Sequence, residues 1–460
     1  MSELFASASP KSGPWWPYNT RPGYPTLGIA RIVAALRPLL KTASTFLIVG
    51  FVLMIPAAVT LPGAYGALYA KLAWAQAHGW LLVAGFLLPI IFGLHLHVLE
   101  IISAKEVHPD RITLLRSAVI VAAIILGIGG LIPDGATGFL GTILDFVPFL
   151  GLLLVFIAAI LQTVTVFGLL PKNSVVDVEA DPLSKGDDAS LKHVKMSHMF
   201  LPLGILLVVA GFVPGQADHS WAASLRLAGM HVLLVGYLTL SAYGIAHILI
   251  PRFSGVPAIA AGAIKGELYT TLLGLLGIVA GFIVGPDTRT GRILLISFGP
   301  LVFLGMFTFM GVLGANIMKN KSKTHRVTRE FVYVPWTFAG VFWLISGILM
   351  GIFLNVVPDA LADRENSLRF MHIHTGLFGG IAMLAMGWLY RILPSDMGIQ
   401  PPSFARTKWS FYLLNAALLV VIPGHLAGVD GEIAVGIAAA FALIGAIWFV
   451  VTLKPYWKVA

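Results

Sequence analysis

The sequence predicts an all-α, polytopic membrane protein of twelve transmembrane helices with both termini cytoplasmic. Three observations carry this. Of the 460 residues, 58% are hydrophobic and only 11% charged, where a water-soluble domain carries about 25% charged residues; the mean hydropathy is +0.89. Twelve apolar runs approach or exceed the roughly 20 residues that a helix needs to cross hydrocarbon. They cover 45–65, 76–98, 113–132, 146–170, 198–214, 225–250, 268–285, 293–317, 335–357, 369–393, 409–428 and 432–453. Finally, the N-terminus, the loops after even-numbered helices and the C-terminus carry 24 of the 30 Lys and Arg; the other loops carry six, Lys71, Arg226, Arg289, Arg292, Arg364 and Arg369. The positive-inside rule then places both termini in the cytoplasm. The net charge of +9 is a topology signal, and no nucleic-acid partner is expected.

The elements follow in order. Residues 1–44 read as a cytoplasmic N-terminal segment: Trp15–Thr26 is rich in Pro and aromatics, and Leu27–Thr42, with Arg31, Arg37 and Lys41, is a basic amphipathic stretch. It lacks a small-residue cleavage site after an apolar core, so an interfacial helix is expected and not a signal peptide. Residues 45–460 form the membrane domain. Its one sizeable polar connector is 171–196, with Asp177, Glu179, Asp181, Asp187 and Asp188, read as a cytoplasmic linker.

The absence of Cys excludes disulfides, thiolate metal sites, iron–sulfur clusters and covalently attached haem. What remains for metal chemistry is 13 His and 13 Met. A His inside a bilayer is a functional hypothesis by default, although a hydrogen bond between helices is the plain alternative. His78 lies at the start of helix 2, His231 near the start of helix 6, and His372 and His374 near the start of helix 10. Even-numbered helices run in the same direction, so these four share one depth, in the outer half of the membrane. That level suits a shared metal or haem layer. Residues two apart on a helix point about 200° apart, so His372 and His374 address different partners. Imidazole is also a common axial ligand of haem iron.

Helices 6 and 10 echo each other. Counting from His231, Gly236, Gly244 and Pro251 stand at the offsets at which Gly379, Gly387 and Pro394 follow His374. A repeated helix type is expected, in which Gly admits a ring or a neighbouring helix. His-bearing helices spaced four apart suggest three arcs of four. Other polar groups are less telling. His95 and His97 in helix 2 and His247 in helix 6 mark a second, inner level; His193, Met196, His198 and Met199 form a small His/Met group at the end of the linker; His425 lies in helix 11. Glu100 and Glu267 stand at inner helix ends, and Tyr237, Thr239, Ser241 and Tyr243 decorate helix 6.

Twelve spans with His in helices 2, 6 and 10, and above all Phe370-Met371-His372-Ile373-His374-Thr375-Gly376 followed by Leu389-Tyr390-Arg391-Ile392-Leu393-Pro394, resemble subunit I of the haem-copper oxidases. The run from Gly229-Met230-His231 to Ile248-Leu249-Ile250-Pro251-Arg252 is similar to the sixth helix of the cbb3-type oxidase and nitric oxide reductase branch. The resemblance implies that His78 and His374 are axial ligands of a low-spin haem, that His372 is the proximal ligand of a second haem, and that His231 is the first of three copper ligands. Arg226, Arg364 and Arg369 would face haem propionates, or else act as interfacial snorkellers.

The chain departs from that family where it expects an adjacent His pair after helix 7: here the residues are Gly285-Pro286-Asp287-Thr288. One imidazole without thiolate is a poor copper set, and Val235 stands where a ligand-linked Tyr occurs. Copper and ordinary reduction of O2 are therefore not expected, and no catalytic residue is assigned. His231 is left as a residual copper-site position or a distal ligand of the His372 haem. The expected protein carries one or two b haems and acts in electron transfer within a membrane redox complex, in a bacterial cytoplasmic membrane. Electrons would come from partner subunits, cytochrome c or quinol. The alternatives are a haem enzyme or sensor for a small gas such as nitric oxide, and a non-haem transporter.

Overall fold

A chain surrounded by hydrocarbon has to satisfy its own backbone hydrogen bonds. In the computed structural model, the residues described are 29–59, 77–103, 107–131, 138–170, 184–214, 219–254, 257–319, 333–356, 365–396, 402–427 and 432–457; they contain helices and no strand. The long helices are α1 (Ile29–Val59), α2 (77–103), α3 (Pro109–Gly130), α4 (Gly138–Leu169), α5 (Ser184–Ala210) and α6 (220–254), then α7 (Ala261–Val284), α8 (Arg289–Lys319), α9 (Tyr333–Val356), α10 (365–396), α11 (Phe404–Ala427) and α12 (Glu432–Leu453). Ten of them, α2 to α10 and α12, are long and apolar enough to cross a membrane; α1 contributes a shorter apolar stretch, Pro38–Leu53.

Two expected boundaries move. The amphipathic stretch 27–42 was expected to form an interfacial helix separate from the first span. Instead Ile29–Val59 is one helix, and Leu39, Leu40 and Ala43 are buried in the core. The apolar face of the basic stretch finds protein to pack on. The connector 171–196 is helical from Ser184 onward. Its charges line one face, where Lys192 pairs with Asp188 at 3.7 Å, while His193, Val194, Ser197 and His198 are buried on the other.

Sequence neighbours pack as neighbours, and α12 returns to pack on α1, closing the bundle. Burial then sorts the helices into two layers. The apolar windows of α2, α6 and α10 are 89%, 78% and 83% buried, whereas no other span exceeds 50%. The three helices that carry His78, His231, His372 and His374 are thus the inner ones, and α6 touches both α2 and α10. Between α7 and α8 the chain reverses through Gly285, whose φ of +109° is a conformation open to glycine. Thr288 then caps α8, its hydroxyl accepting from Gly291 N at 3.0 Å.

Candidate functional site

Each inner helix changes its winding beside a histidine. The π-helical segments are Leu81–Leu87 in α2, Val232–Thr239 in α6 and His374–Ala382 in α10. They begin three residues after His78, directly after His231, and on His374 itself. Within α6 the wider turn is matched by Thr239, whose hydroxyl donates to Leu234 O, five residues back, at 2.8 Å. Such segments occur often at functional sites.

The glycine echo has a structural counterpart. A Cβ on Gly236 would meet Phe200 of α5 at 2.9 Å, and one on Gly379 would meet Trp343 of α9 at 2.7 Å. One step further, Gly244 faces His193 of α5 at 2.9 Å and Gly387 faces Trp336 of α9 at 2.4 Å. In both repeats the preceding helix presses against the glycine line of the His-bearing helix.

The first histidine level comprises His78, His231, His372 and His374. His78 Nδ1 donates to Gly50 O of α1 at 2.7 Å, and His372 Nδ1 donates to Gly347 O of α9 at 2.7 Å. His231 and His374 each donate from Nδ1 to a carbonyl one turn back, Leu227 O at 2.8 Å and Phe370 O at 2.7 Å. A carbonyl only accepts, so in all four rings the proton sits on Nδ1 and Nε2 carries the lone pair when the ring is neutral. That is the arrangement in which backbone contacts orient an imidazole for a metal.

The rings fall into two neighbourhoods. His231 and His372 lie with centroids 6.1 Å apart and planes within 18°, with Phe282 4.6 Å from His231. The His372 ring rests on Gly351, where a Cβ would stand 2.8 Å from Cε1. His78 lies within electrostatic reach of His374; Phe51 stands 5.8 Å from His78 and 5.2 Å from Phe378, joining α1 to α10.

The remaining expected residues are placed as follows. Arg226 donates to Gly211 O at 2.7 Å and lies 5.1 Å from the Phe212 ring centre, closing the end of α5. Arg369 is exposed, and Arg364 lies outside the described residues. Asp287 is exposed in the α7–α8 turn, and the Thr288 hydroxyl is engaged with Gly285 O at 2.8 Å as well as with Gly291. His425 belongs to α11, but its side chain lies outside the described set.

A second level lies at the other end of the inner helices, and sequence reasoning did not assemble it. His193 of α5 and His247 of α6 both reach Glu267 of α7: Nε2 of His193 is 3.2 Å from Oε1 and Nε2 of His247 is 2.6 Å from Oε2. All three are buried. Beside them His95 and His198 meet at 4.7 Å, with the Tyr237 hydroxyl 3.3 Å from His95 Nδ1. His198 donates from Nδ1 to Val194 O at 2.8 Å, and Ser241 donates to Ser197 at 2.8 Å. Of the sequence-adjacent His193, Met196, His198 and Met199, the two histidines turn inward while Met199 is exposed. The available signal was polar residues one turn apart in otherwise apolar helices: His193 with Ser197, Tyr243 with His247, Glu267 with Thr271.

No family model and no curated protein sequence matches this chain. Among solved structures, a haem-copper terminal oxidase, determined by cryo-EM as a dimer, superposes on 93% of this chain and 82% of its own, with a TM-score of 0.57 and 11% sequence identity. The fold is that of a haem-copper terminal oxidase. On this oxidase-like frame the described chain is a multi-pass membrane protein, and three of its ten apolar spans, α2, α6 and α10, form the inner layer.

Proposed function

We propose that the chain is a haem-b-binding membrane subunit that carries electrons within a larger redox complex, with the copper position of its oxidase-like fold lost. The observation that carries this reading is the common state of His78, His231, His372 and His374. Four imidazoles at one level each give the Nδ1 proton to a backbone carbonyl, which leaves Nε2 as the ligating atom.

The residues fit haem ligation. His78 and His374 would hold one haem, and His372 with His231 a second. The His231 and His372 ring centres stand 6.1 Å apart, so both rings would serve the same haem. The copper donor set is also depleted, since Thr288 caps α8 and Asp287 faces out. A bound haem supplies a one-electron couple. The protein's own part is to orient the rings through Gly50, Gly347, Leu227 and Phe370, and to exclude water with Phe51, Phe282 and Phe378.

This reading includes twelve spans in three arcs of four, cytoplasmic termini and a bacterial cytoplasmic membrane. The matched glycine lines of α6 and α10 and the π segments of α2, α6 and α10 support the repeat. Without Cys the chain has no covalent haem or dinuclear copper entry site, so electrons arrive from a partner subunit, cytochrome c or quinol.

A reduced-minus-oxidised optical spectrum of the purified chain, with haem quantified as the pyridine complex, tests the proposal. One or two b haems per chain, with no shift on adding CO, are expected. A colourless protein overturns it and leaves the transporter reading; a CO shift assigns an open iron and the gas-binding reading.

A further inference from the structure

The haem reading leaves the second histidine level unused. His247 follows His231 on the same helix by sixteen residues, about 24 Å at 1.5 Å per residue, so the two levels are separate sites. We propose that His193, His247 and Glu267 bind one divalent transition-metal ion of the Zn2+ or Fe2+ class, clamping α5, α6 and α7 together.

The donor set is two imidazoles and a carboxylate, which suits first-row divalent ions and leaves further positions for water. The geometry fits. The three donor atoms lie within 4.8 Å of one another. The His193 Nε2 to Glu267 Oε1 distance is 3.2 Å, where ligands on a tetrahedron of 2.0–2.1 Å bonds stand about 3.3 Å apart; the 2.6 Å contact of His247 Nε2 with Oε2 is a direct hydrogen bond that opens when an ion enters.

Charge gives the second argument. Glu267 is 1% exposed, inside a span, and a carboxylate there requires a compensating cation. Among the described residues the nearby lysines do not supply it: Lys265 is exposed two residues away, Lys192 pairs with Asp188, and Lys195 lies over Phe167. His193 turns Nδ1 to Ala189 O at 3.4 Å and Nε2 to Glu267 Oε1 at 3.2 Å, so its Nε2 is aimed at the carboxylate.

Packing builds the site deliberately. A Cβ on Gly244 would stand 2.9 Å from both the His193 Cβ and Ser190 O, so glycine is what lets α5 bring His193 to α6. Phe309 of α8 closes the other flank, stacked on Tyr243 at 4.3 Å and edge-on to His247 at 5.1 Å. The Tyr243 hydroxyl is buried without a hydrogen-bond partner, within electrostatic reach of Glu267.

The test uses the full chain in detergent, without a polyhistidine tag, stripped by a chelator and then dialysed against Zn2+. One zinc per chain is expected by elemental analysis. Glu267→Gln and His247→Ala should each weaken binding at least tenfold, and His95→Ala should leave it unchanged. X-ray absorption at the zinc edge of the wild type should show two imidazoles in the first shell, a readout that does not depend on any variant folding. No stoichiometric zinc on the wild type, or undiminished binding by Glu267→Gln, overturns the proposal; the former result leaves Glu267 as the hydrogen-bond partner of His193 and His247. Haem content measured on the same samples keeps this outcome apart from that of the haem reading.

Discussion

His231 of α6 and His372 of α10 face each other with ring centroids 6.1 Å apart and planes within 18°. Each ring is held from behind, His231 by Leu227 O and His372 by Gly347 O. The pair is therefore oriented before any ligand enters, and the entropy of fixing both rings is spent in folding.

Replacing one member separates ligation from packing. His231→Ala should retain haem and open the sixth position of the His372 haem, so that a CO-induced shift appears where the wild type has none. His372→Ala should lower haem content by one per chain. Difference spectra with and without CO, on samples matched for protein, check both outcomes.

Gly351 is the floor under His372. A Cβ there would stand 2.8 Å from the ring's Cε1, and a branched side chain cannot share that space. Gly351→Val should displace the ring, reduce haem content, and destabilise the protein by about 1–3 kcal/mol through overpacking. Thermal unfolding monitored with haem absorbance measures the two effects together.

Thr288 is read as a cap and not as a metal donor. Thr288→Ala removes the acceptor for Gly291 N, which should cost about 0.5–2 kcal/mol and leave haem and metal content as in the wild type. A change in metal content on elemental analysis would contradict the assignment.

Trp343 and Asn415 tie α9 to α11 through an indole N–H to amide oxygen bond of 2.8 Å. Asn415→Leu leaves the indole donor without that partner and should cost about 1–3 kcal/mol. Because Trp343 also packs on Gly379, in the π segment after His374, the variant should broaden the haem spectrum as well. An unchanged melting temperature would show that the bond carries no weight.

Much of the frame was legible in the residues. Apolar runs gave most of the helices, because in hydrocarbon length and hydropathy decide the backbone state. His78, His231, His372 and His374 could be placed at one depth, because helix direction alternates along the chain. The equal spacing of Gly236 and Gly379, and of Gly244 and Gly387, from their histidines was readable, and it marks lines along which α5 and α9 press on α6 and α10. Less legible were the helix starts at Ile29 and Ser184. There, mixed polar and apolar residues fold as helix only because the bundle covers one face.

The sequence by itself determined an all-helical membrane chain without thiolate chemistry, with histidines on every fourth helix. Only the tertiary structure decided that those helices are the inner layer, that they unwind to π beside each histidine, and that Glu267 meets both His193 and His247. The reason is physical. Hydropathy fixes each residue's depth along a helix. Which faces meet across helices that are 20 to 74 residues apart in sequence is set by side-chain packing, which no local pattern encodes.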